Sequence, residues 1–117
     1  MAHPVVHFEV IGKDAGALQQ FYGQAFGWDM QDVMNGSYYM AAPGGEGGIN
    51  GGVGATPEGG DGHVTFYVQV EDPNEALARI GELGGRTIQE PFQVPDGPTI
   101  ALFADPEGHV VGLASGM

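Results

Sequence analysis

The sequence predicts an α+β fold with two similar halves, each built of a strand, a helix and further strands. An alternating strand pattern begins at His7 and recurs at His63, about half the chain later, each time followed by a helical pattern. Two copies are too few for a solenoid, so the repeat indicates two modules, about 3–56 and 60–115, packed as one domain. The length of 117 residues suits a single domain.

The leading strand of each half alternates apolar and polar residues. In the first half, Val6, Phe8 and Val10 share one face, opposite His7 and Glu9. The second half repeats the alternation, with one face formed by Val64, Phe66, Val68 and Val70 and the other by His63, Thr65, Tyr67 and Gln69. Each strand therefore carries a histidine on its polar face.

Two helices follow these strands. The first is predicted near Asp14 to Phe26, with Asp14 as N-cap and Gly27 after its end. The second is predicted over Pro73 to Leu83, behind an Asp72 N-cap. The apolar stripe of the first helix comprises Leu18, Phe21, Tyr22, Ala25 and Phe26. We expect both helices to lie on a sheet with their outer faces in water.

Shorter strand candidates come after each helix. They are 37–42 and 49–53 in the first half, and 86–89, 98–104 and 110–114 in the second. Ten of the nineteen residues from Gly44 to Gly62 are glycine, which is typical of a loop or a distorted strand. Asp105 to Gly108 has the composition of a turn.

Composition excludes several classes of partner. Only three cationic residues, Lys13, Arg79 and Arg86, accompany fifteen carboxylates, for a net charge of −12. Nucleic acids and anionic membranes both need clustered basic residues, so we expect no binding to either. There is no cysteine and no long apolar run, and the first residues do not resemble a secretory signal. We therefore expect a cytoplasmic protein.

Several segments resemble the glyoxalase, bleomycin-resistance and extradiol dioxygenase superfamily, also called vicinal oxygen chelate proteins. They are His7–Val10, Phe21–Tyr22, Phe26–Trp28, Gly47–Gly52 and Asp105–Leu113. The resemblance implies paired βαβββ modules whose strands form a cup-shaped, curled sheet, commonly completed by homodimerisation. Members of the superfamily isomerise substrates, open rings, transfer thiols to epoxides or only sequester drugs, so the fold does not determine the activity.

The resemblance also implies a divalent metal ion as cofactor, held by residues from the first and last strand of each module. His7 and His63 occupy the two first-strand positions. Gly112 stands where the last strand of the second module normally has Glu, and the segment from Gly47 to Thr56 contains no acid. The metal set is therefore incomplete, and Glu9 is the residue that could supply a third donor.

Three functions are compatible with these residues. The first is a small-molecule-binding protein without a tightly held metal, its pocket lined by His7, Glu9, His63, Thr65 and Tyr67. The second is a metal-dependent lyase, isomerase or dioxygenase in which Glu9 is the general base. The third is a structural or interaction module.

Each of these residues also has an ordinary structural role open to it. The histidines could be hydrogen-bonded pocket residues, and Thr65 and Tyr67 could be sheet residues with satisfied hydroxyls. Trp28, Tyr38 and Tyr39 could line an aromatic wall. Because the negative charge opposes association, we expect a homodimer to form through apolar and glycine-rich segments.

Overall fold

The computed structural model describes residues 2–42, 44–56 and 60–116. The elements follow in the order β1 Val5–Gly12, α1 Ala15–Phe26, β2 Asp29–Asp32, β3 Tyr38–Ala42, β4 Gly51–Ala55, β5 His63–Gln69, α2 Pro73–Glu82, β6 Arg86–Gln93, β7 Thr99–Ala104 and β8 Val110–Ser115. The predicted α+β fold with two βαβββ modules is confirmed. The chain divides into two compact units, which we call the first unit, His7–Val64, and the second unit, Met1–Val6 with Thr65–Met117.

The strands of the first unit lie in the order β2-β3-β4-β1. Strand β3 is antiparallel to both β2 and β4, whereas β4 is parallel to β1. This register places Gly52 beside Glu9, and Gly54 beside Tyr38 on the other neighbouring strand. Strand β4 therefore separates β3 from β1.

The second unit repeats this arrangement in the order β6-β7-β8-β5, with β8 parallel to β5 and antiparallel to β7. Its core is formed by Val70, Leu77, Ala101 and Leu113. In the part of the chain that the structure describes, no helix has the length and apolar character needed to cross a membrane.

The predicted helix ends agree with the structure. Asp14 caps α1 by accepting a hydrogen bond from Ala17 N at 3.0 Å, and Gly27 ends it in the left-handed region at φ 71°. The Asp72 carboxylate caps α2, accepting from Asn74 N at 2.9 Å and more weakly from Glu75 N. The sequence is sufficient to predict these helix ends, because each cap depends only on residues within its own helical turn.

The outer face of α1 is exposed as predicted, but two residues of its predicted apolar stripe are exposed as well. The helix rests on the sheet through Ala15, Leu18 and Tyr22, because these positions share one face at helical spacing. Phe26 continues this row at the last residue of the helix, and Phe21 lies beside it, yet Phe21 and Phe26 are 61% and 62% exposed. Because α1 contains no charged residue, its exposed surface is uncharged and includes both phenylalanines.

Two strand predictions also needed correction. Strand β2 was not predicted, because its four residues, Asp29 to Asp32, are mostly polar and exposed and show no apolar alternation. Strand β4 begins at Gly51 rather than at 49, inside the glycine-rich stretch. Residues 57–59 of that stretch lie outside the described residues. The turn at Asp105 to Gly108 is present, closed by a hydrogen bond from Gly108 N to Asp105 O of 2.9 Å.

Candidate functional site

The polar face of β1 is buried inside the first unit. His7 and Glu9 are each only 9% exposed. The Tyr38 hydroxyl donates to Glu9 Oε2 at 2.9 Å and lies 3.1 Å from His7 Nε2. The other Glu9 oxygen, Oε1, lies 2.9 Å from His63 Nε2. The four residues form one line, His7–Tyr38–Glu9–His63, which we call the polar network.

Tyr38 reaches this network by crossing a neighbouring strand. It belongs to β3, whereas Glu9 belongs to β1, and β4 lies between them. A β-carbon at Gly52 would overlap the Tyr38 hydroxyl, and one at Gly54 would meet the Tyr38 ring. The tyrosine ring therefore occupies the space that side chains at these two positions would fill, which explains why the strand contains glycine there.

The network has a defined direction when Glu9 is ionised. A carboxylate only accepts hydrogen bonds, so the single hydroxyl hydrogen of Tyr38 is directed to Glu9. His7 Nε2 must then donate to the Tyr38 oxygen, and His63 Nε2 must donate to Glu9 Oε1. Both histidines consequently carry hydrogen on Nε2, held there by the partner that each one meets.

The network is open to solvent at one end. The His63 side chain is 28% exposed, compared with 11% for the Glu9 side chain that it meets. Among the described residues, none accepts from or donates to His63 Nδ1. This nitrogen accepts a hydrogen bond when the imidazole is neutral and donates one when it is protonated. His63 is thus the member of the network best placed to meet an incoming molecule.

Burial determines the ionisation of the other histidine. Removal from water lowers the pKa of His7 below its ordinary value of 6.5, and the nearby Glu9 carboxylate offsets this only in part. The neutral imidazole is therefore favoured at His7. A neutral ring with its hydrogen on Nε2 matches the donor that the Tyr38 oxygen requires.

Thr65 and Tyr67 belong to the second unit and are buried there. Thr65 Oγ1 donates to the Val110 carbonyl at 2.6 Å, which ties β5 to β8. The Tyr67 ring lies against Gly112, its neighbour in register, so closely that a β-carbon at residue 112 would overlap it. Their assignment as ligand-binding residues stays a prediction.

The arrangement does not fit a divalent metal ion. Metal ligands must offer lone pairs towards a common point, at about 2.0–2.2 Å from the ion for histidine and carboxylate donors. Here both Nε2 atoms are occupied by hydrogen bonds, and the polar groups follow one another in a line. Among the described residues, no three of the His, Asp and Glu side chains are grouped as a metal site.

The sequence suggested three of the four network residues but not the role of Tyr38, which it assigned only to an aromatic wall. Its hydroxyl connects His7 to Glu9. Glycines two positions apart on β4 were the available signal, because alternate residues of a strand share a face. A strand face without side chains leaves space for a ring from a neighbouring strand.

Comparison with models of known protein families assigns the chain to a superfamily. The model of the Glyoxalase/Bleomycin resistance protein/Dioxygenase superfamily matches residues 5–113. This chain belongs to that superfamily. The resemblance in its sequence motifs is thereby confirmed, and the superfamily's mixture of activities sets the range of functions to consider.

Two curated relatives of this chain carry the same name. "Putative glyoxylase CFP32" of Mycobacterium bovis is 29% identical over 106 residues, which cover 86% of this chain and 41% of that protein. Its Mycobacterium tuberculosis counterpart gives the same values. The chain thus spans less than half the length of these curated relatives.

Solved structures share the fold of this glyoxalase-superfamily chain. Methylmalonyl-CoA epimerase from Mycobacterium tuberculosis has a TM-score of 0.68 at 14% identity, covering 95% of this chain and 86% of its own. The Mn(II)-bound glyoxalase from Novosphingobium aromaticivorans has a TM-score of 0.66 at 17% identity, covering 97% and 40% respectively. Proteins described as an epimerase and as a manganese-bound glyoxalase therefore share this fold.

Proposed function

We propose that this chain binds a small organic molecule at the polar network of the first unit, without help from a divalent metal ion. The observation that supports this most is the unbroken line from His7 through Tyr38 and Glu9 to His63. Ligand sites usually combine a mainly apolar lining with a few well-placed polar groups. The network supplies such groups already oriented by one another.

The exposed end of the network defines the chemistry of the ligand. Glu9 holds the Nε2 hydrogen of His63, so the Nδ1 of the neutral ring is an acceptor that can meet a hydroxyl or N–H donor. The net charge of −12 repels anions from the surface and favours neutral or cationic molecules. We therefore expect a neutral or cationic compound that carries a hydroxyl or N–H group.

The same geometry disfavours the metal-dependent alternative. An ion bound by His7, His63 and Glu9 would require both Nε2 hydrogens to leave and the Tyr38 hydrogen bonds to break. The hydrogen-bond geometry also disfavours Glu9 as a general base, because each carboxylate oxygen of Glu9 already accepts a hydrogen bond. A pocket that needs no metal retains every one of these contacts.

A thermal-shift screen of small organic compounds in the presence of EDTA tests the proposal. Binding to the native state raises the melting temperature, and compounds that bind should do so without added metal. His63→Ala should weaken binding of the hits at least about tenfold, a loss of about 1.4 kcal/mol. His109→Ala, which removes an exposed histidine of the second unit, is the matched control.

Two results would contradict the proposal. If compounds bind only after Mn²⁺, Ni²⁺ or Fe²⁺ is added, the metal-dependent alternative is favoured. If hits bind equally well to the wild type and to the His63 variant, their site lies elsewhere. Isothermal titration of each hit against both variants distinguishes these results.

We also propose that the protein forms a homodimer through α1. The exposed Phe21 and Phe26 side chains lie on a helix that contains no charged residue. Two copies that each carry a charge of −12 repel one another, so they can approach closely only through uncharged surface. Helix α2 differs, because its first turn has Glu75 and its last turn has Arg79. The first helix is thus the better surface for a second copy of the chain.

A further inference from the structure

We propose that Tyr38 excludes divalent metal ions from the first unit, and that this residue decides whether the fold holds a metal here. Its ring and hydroxyl occupy the space that an ion shared by His7, Glu9 and His63 would need. This inference concerns metal binding alone and does not depend on which organic molecule the protein binds.

The position of the hydroxyl is the first support. Its oxygen lies 3.1 Å from His7 Nε2 and 2.9 Å from Glu9 Oε2. Metal bonds to nitrogen and oxygen are only about 2.0–2.2 Å long, so an ion bound by both atoms would have to displace these two hydrogen bonds. The Tyr38 hydroxyl therefore competes with an ion for both groups.

Strand β4 gives independent support. Gly52 is level with Glu9 in the parallel register, and a β-carbon on residue 52 would overlap the Tyr38 hydroxyl. A side chain at position 52 would therefore project to the place that Tyr38 now reaches. A metal-ligating carboxylate at position 52 and a tyrosine crossing from position 38 exclude each other.

The exclusion does not depend only on the hydrogen bonds. The aromatic ring of Tyr38 passes over Gly54 as well as Gly52, so much of the ring packs against the backbone of β4. A phenylalanine at position 38 would keep that ring and continue to fill the space. Only a short side chain at position 38 should open the region between His7 and Glu9.

Cobalt titration of five variants tests the inference, with the protein prepared without an affinity tag. Tyr38→Ala should open the space, and Tyr38→Ala combined with Gly52→Glu should add a fourth donor to His7, Glu9 and His63. We expect the double variant to bind one Co²⁺ at least about tenfold more tightly than the wild type, equal to about 1.4 kcal/mol. Visible absorption of the cobalt d–d bands and isothermal titration provide readouts that need no catalytic activity.

Three controls accompany these variants. Tyr38→Phe keeps the ring and should bind Co²⁺ no better than the wild type. Tyr39→Ala removes the neighbouring tyrosine, whose side chain lies on the other face of β3, and should also leave cobalt binding unchanged. Adding His7→Ala to the double variant should abolish the gained binding.

Three results would overturn the inference. The first is stoichiometric Co²⁺ binding by the wild type that is as tight as binding by the double variant. The second is a gain in Co²⁺ affinity in Tyr39→Ala equal to the gain in the double variant. The third is no gain in Co²⁺ affinity in a double variant whose circular dichroism is native-like. If the double variant does not fold, Mn²⁺ titration of the wild type by NMR decides the question. Saturable broadening of the His7 and Glu9 signals at one equivalent contradicts exclusion, and unchanged signals support it.

Discussion

Tyr38 on β3 and Glu9 on β1 are hydrogen-bonded across the intervening strand β4, with 2.9 Å between the Tyr38 hydroxyl and Glu9 Oε2. Neighbouring strands lie about 4.8 Å apart, so β3 and β1 are separated by roughly two strand spacings, and the Tyr38 and Glu9 side chains bridge that distance together over β4. It can do so only because Gly52 and Gly54 present no side chains beneath its ring. The site therefore depends on glycine as much as on its polar residues.

The substitution Gly52→Ala should destabilise the protein. The new methyl group would overlap the Tyr38 hydroxyl, and forcing an extra methyl group into a filled site costs about 1–3 kcal/mol. Urea unfolding at neutral pH measures the loss. Gly45→Ala is the control, because a β-carbon there would meet no atom within 4 Å. An equal loss in both variants would show that Tyr38 is not the cause.

Acidification should weaken the fold through His7. Because burial lowers the pKa of His7 in the folded protein, the unfolded chain binds more protons between the folded value and 6.5. The free energy of unfolding therefore falls as pH decreases through this window and levels off below the folded pKa. His7→Gln retains a donor for Tyr38 without titrating, and should flatten the dependence between about pH 7.5 and pH 5.5.

Urea unfolding at several pH values measures this effect. His109→Gln is the control, since His109 is exposed and belongs to the second unit. It should preserve the loss of stability attributed to His7. If the wild type and His7→Gln lose stability equally on acidification, another group is responsible.

The substitution Thr65→Val should destabilise the second unit. It removes the 2.6 Å hydrogen bond to the Val110 carbonyl at a buried site, which is worth about 1 kcal/mol. Thr87→Val, on the exposed part of β6, should change stability much less. The midpoint of urea unfolding distinguishes them. No difference between the two variants would indicate that water replaces the lost contact.

The substitutions Phe21→Ser and Phe26→Ser should together convert a dimer to a monomer. Each removes an exposed aromatic side chain from α1, a helix without charged residues, and apolar burial stabilises association by roughly 25 cal/mol per Å². Sedimentation velocity measures the result. Leu83→Ser is matched in exposure, at 62%, but lies after the charged α2 and should leave the dimer intact. A wild type that sediments only as a 12.1 kDa species would refute the dimer.

Most of the features of the fold that the sequence predicts depend on residues that are close together in the chain. Asp14 and Asp72 cap their helices through contacts within one turn, and Gly27 ends α1 in a left-handed conformation. The alternation of apolar and polar residues in β1 also places His7 and Glu9 on one face of the strand, independently of any contact with other strands. Such features follow from residues close together in sequence, which a single sequence displays directly.

Long-range features could not be predicted in the same way. The position of Tyr38 depends on the register of β3 against β4 and of β4 against β1, which no local pattern specifies. The exposure of Phe21 depends on which part of a broad apolar stripe the sheet covers. Sequence reasoning thus identified His7, Glu9 and His63 but not the role of Tyr38, which joins His7 to Glu9.

The glycines of β4 also affect the order in which the first unit can assemble. A strand with three glycines among five residues has little intrinsic tendency to be extended, and two of them lie beneath the ring of Tyr38. The third, Gly51, lies beneath the ring of Phe8. Strand β4 therefore gains its side-chain packing from the aromatic rings of β1 and β3. We expect this strand to become ordered late in folding, so that damage to it should accelerate unfolding while leaving the folding rate nearly unchanged.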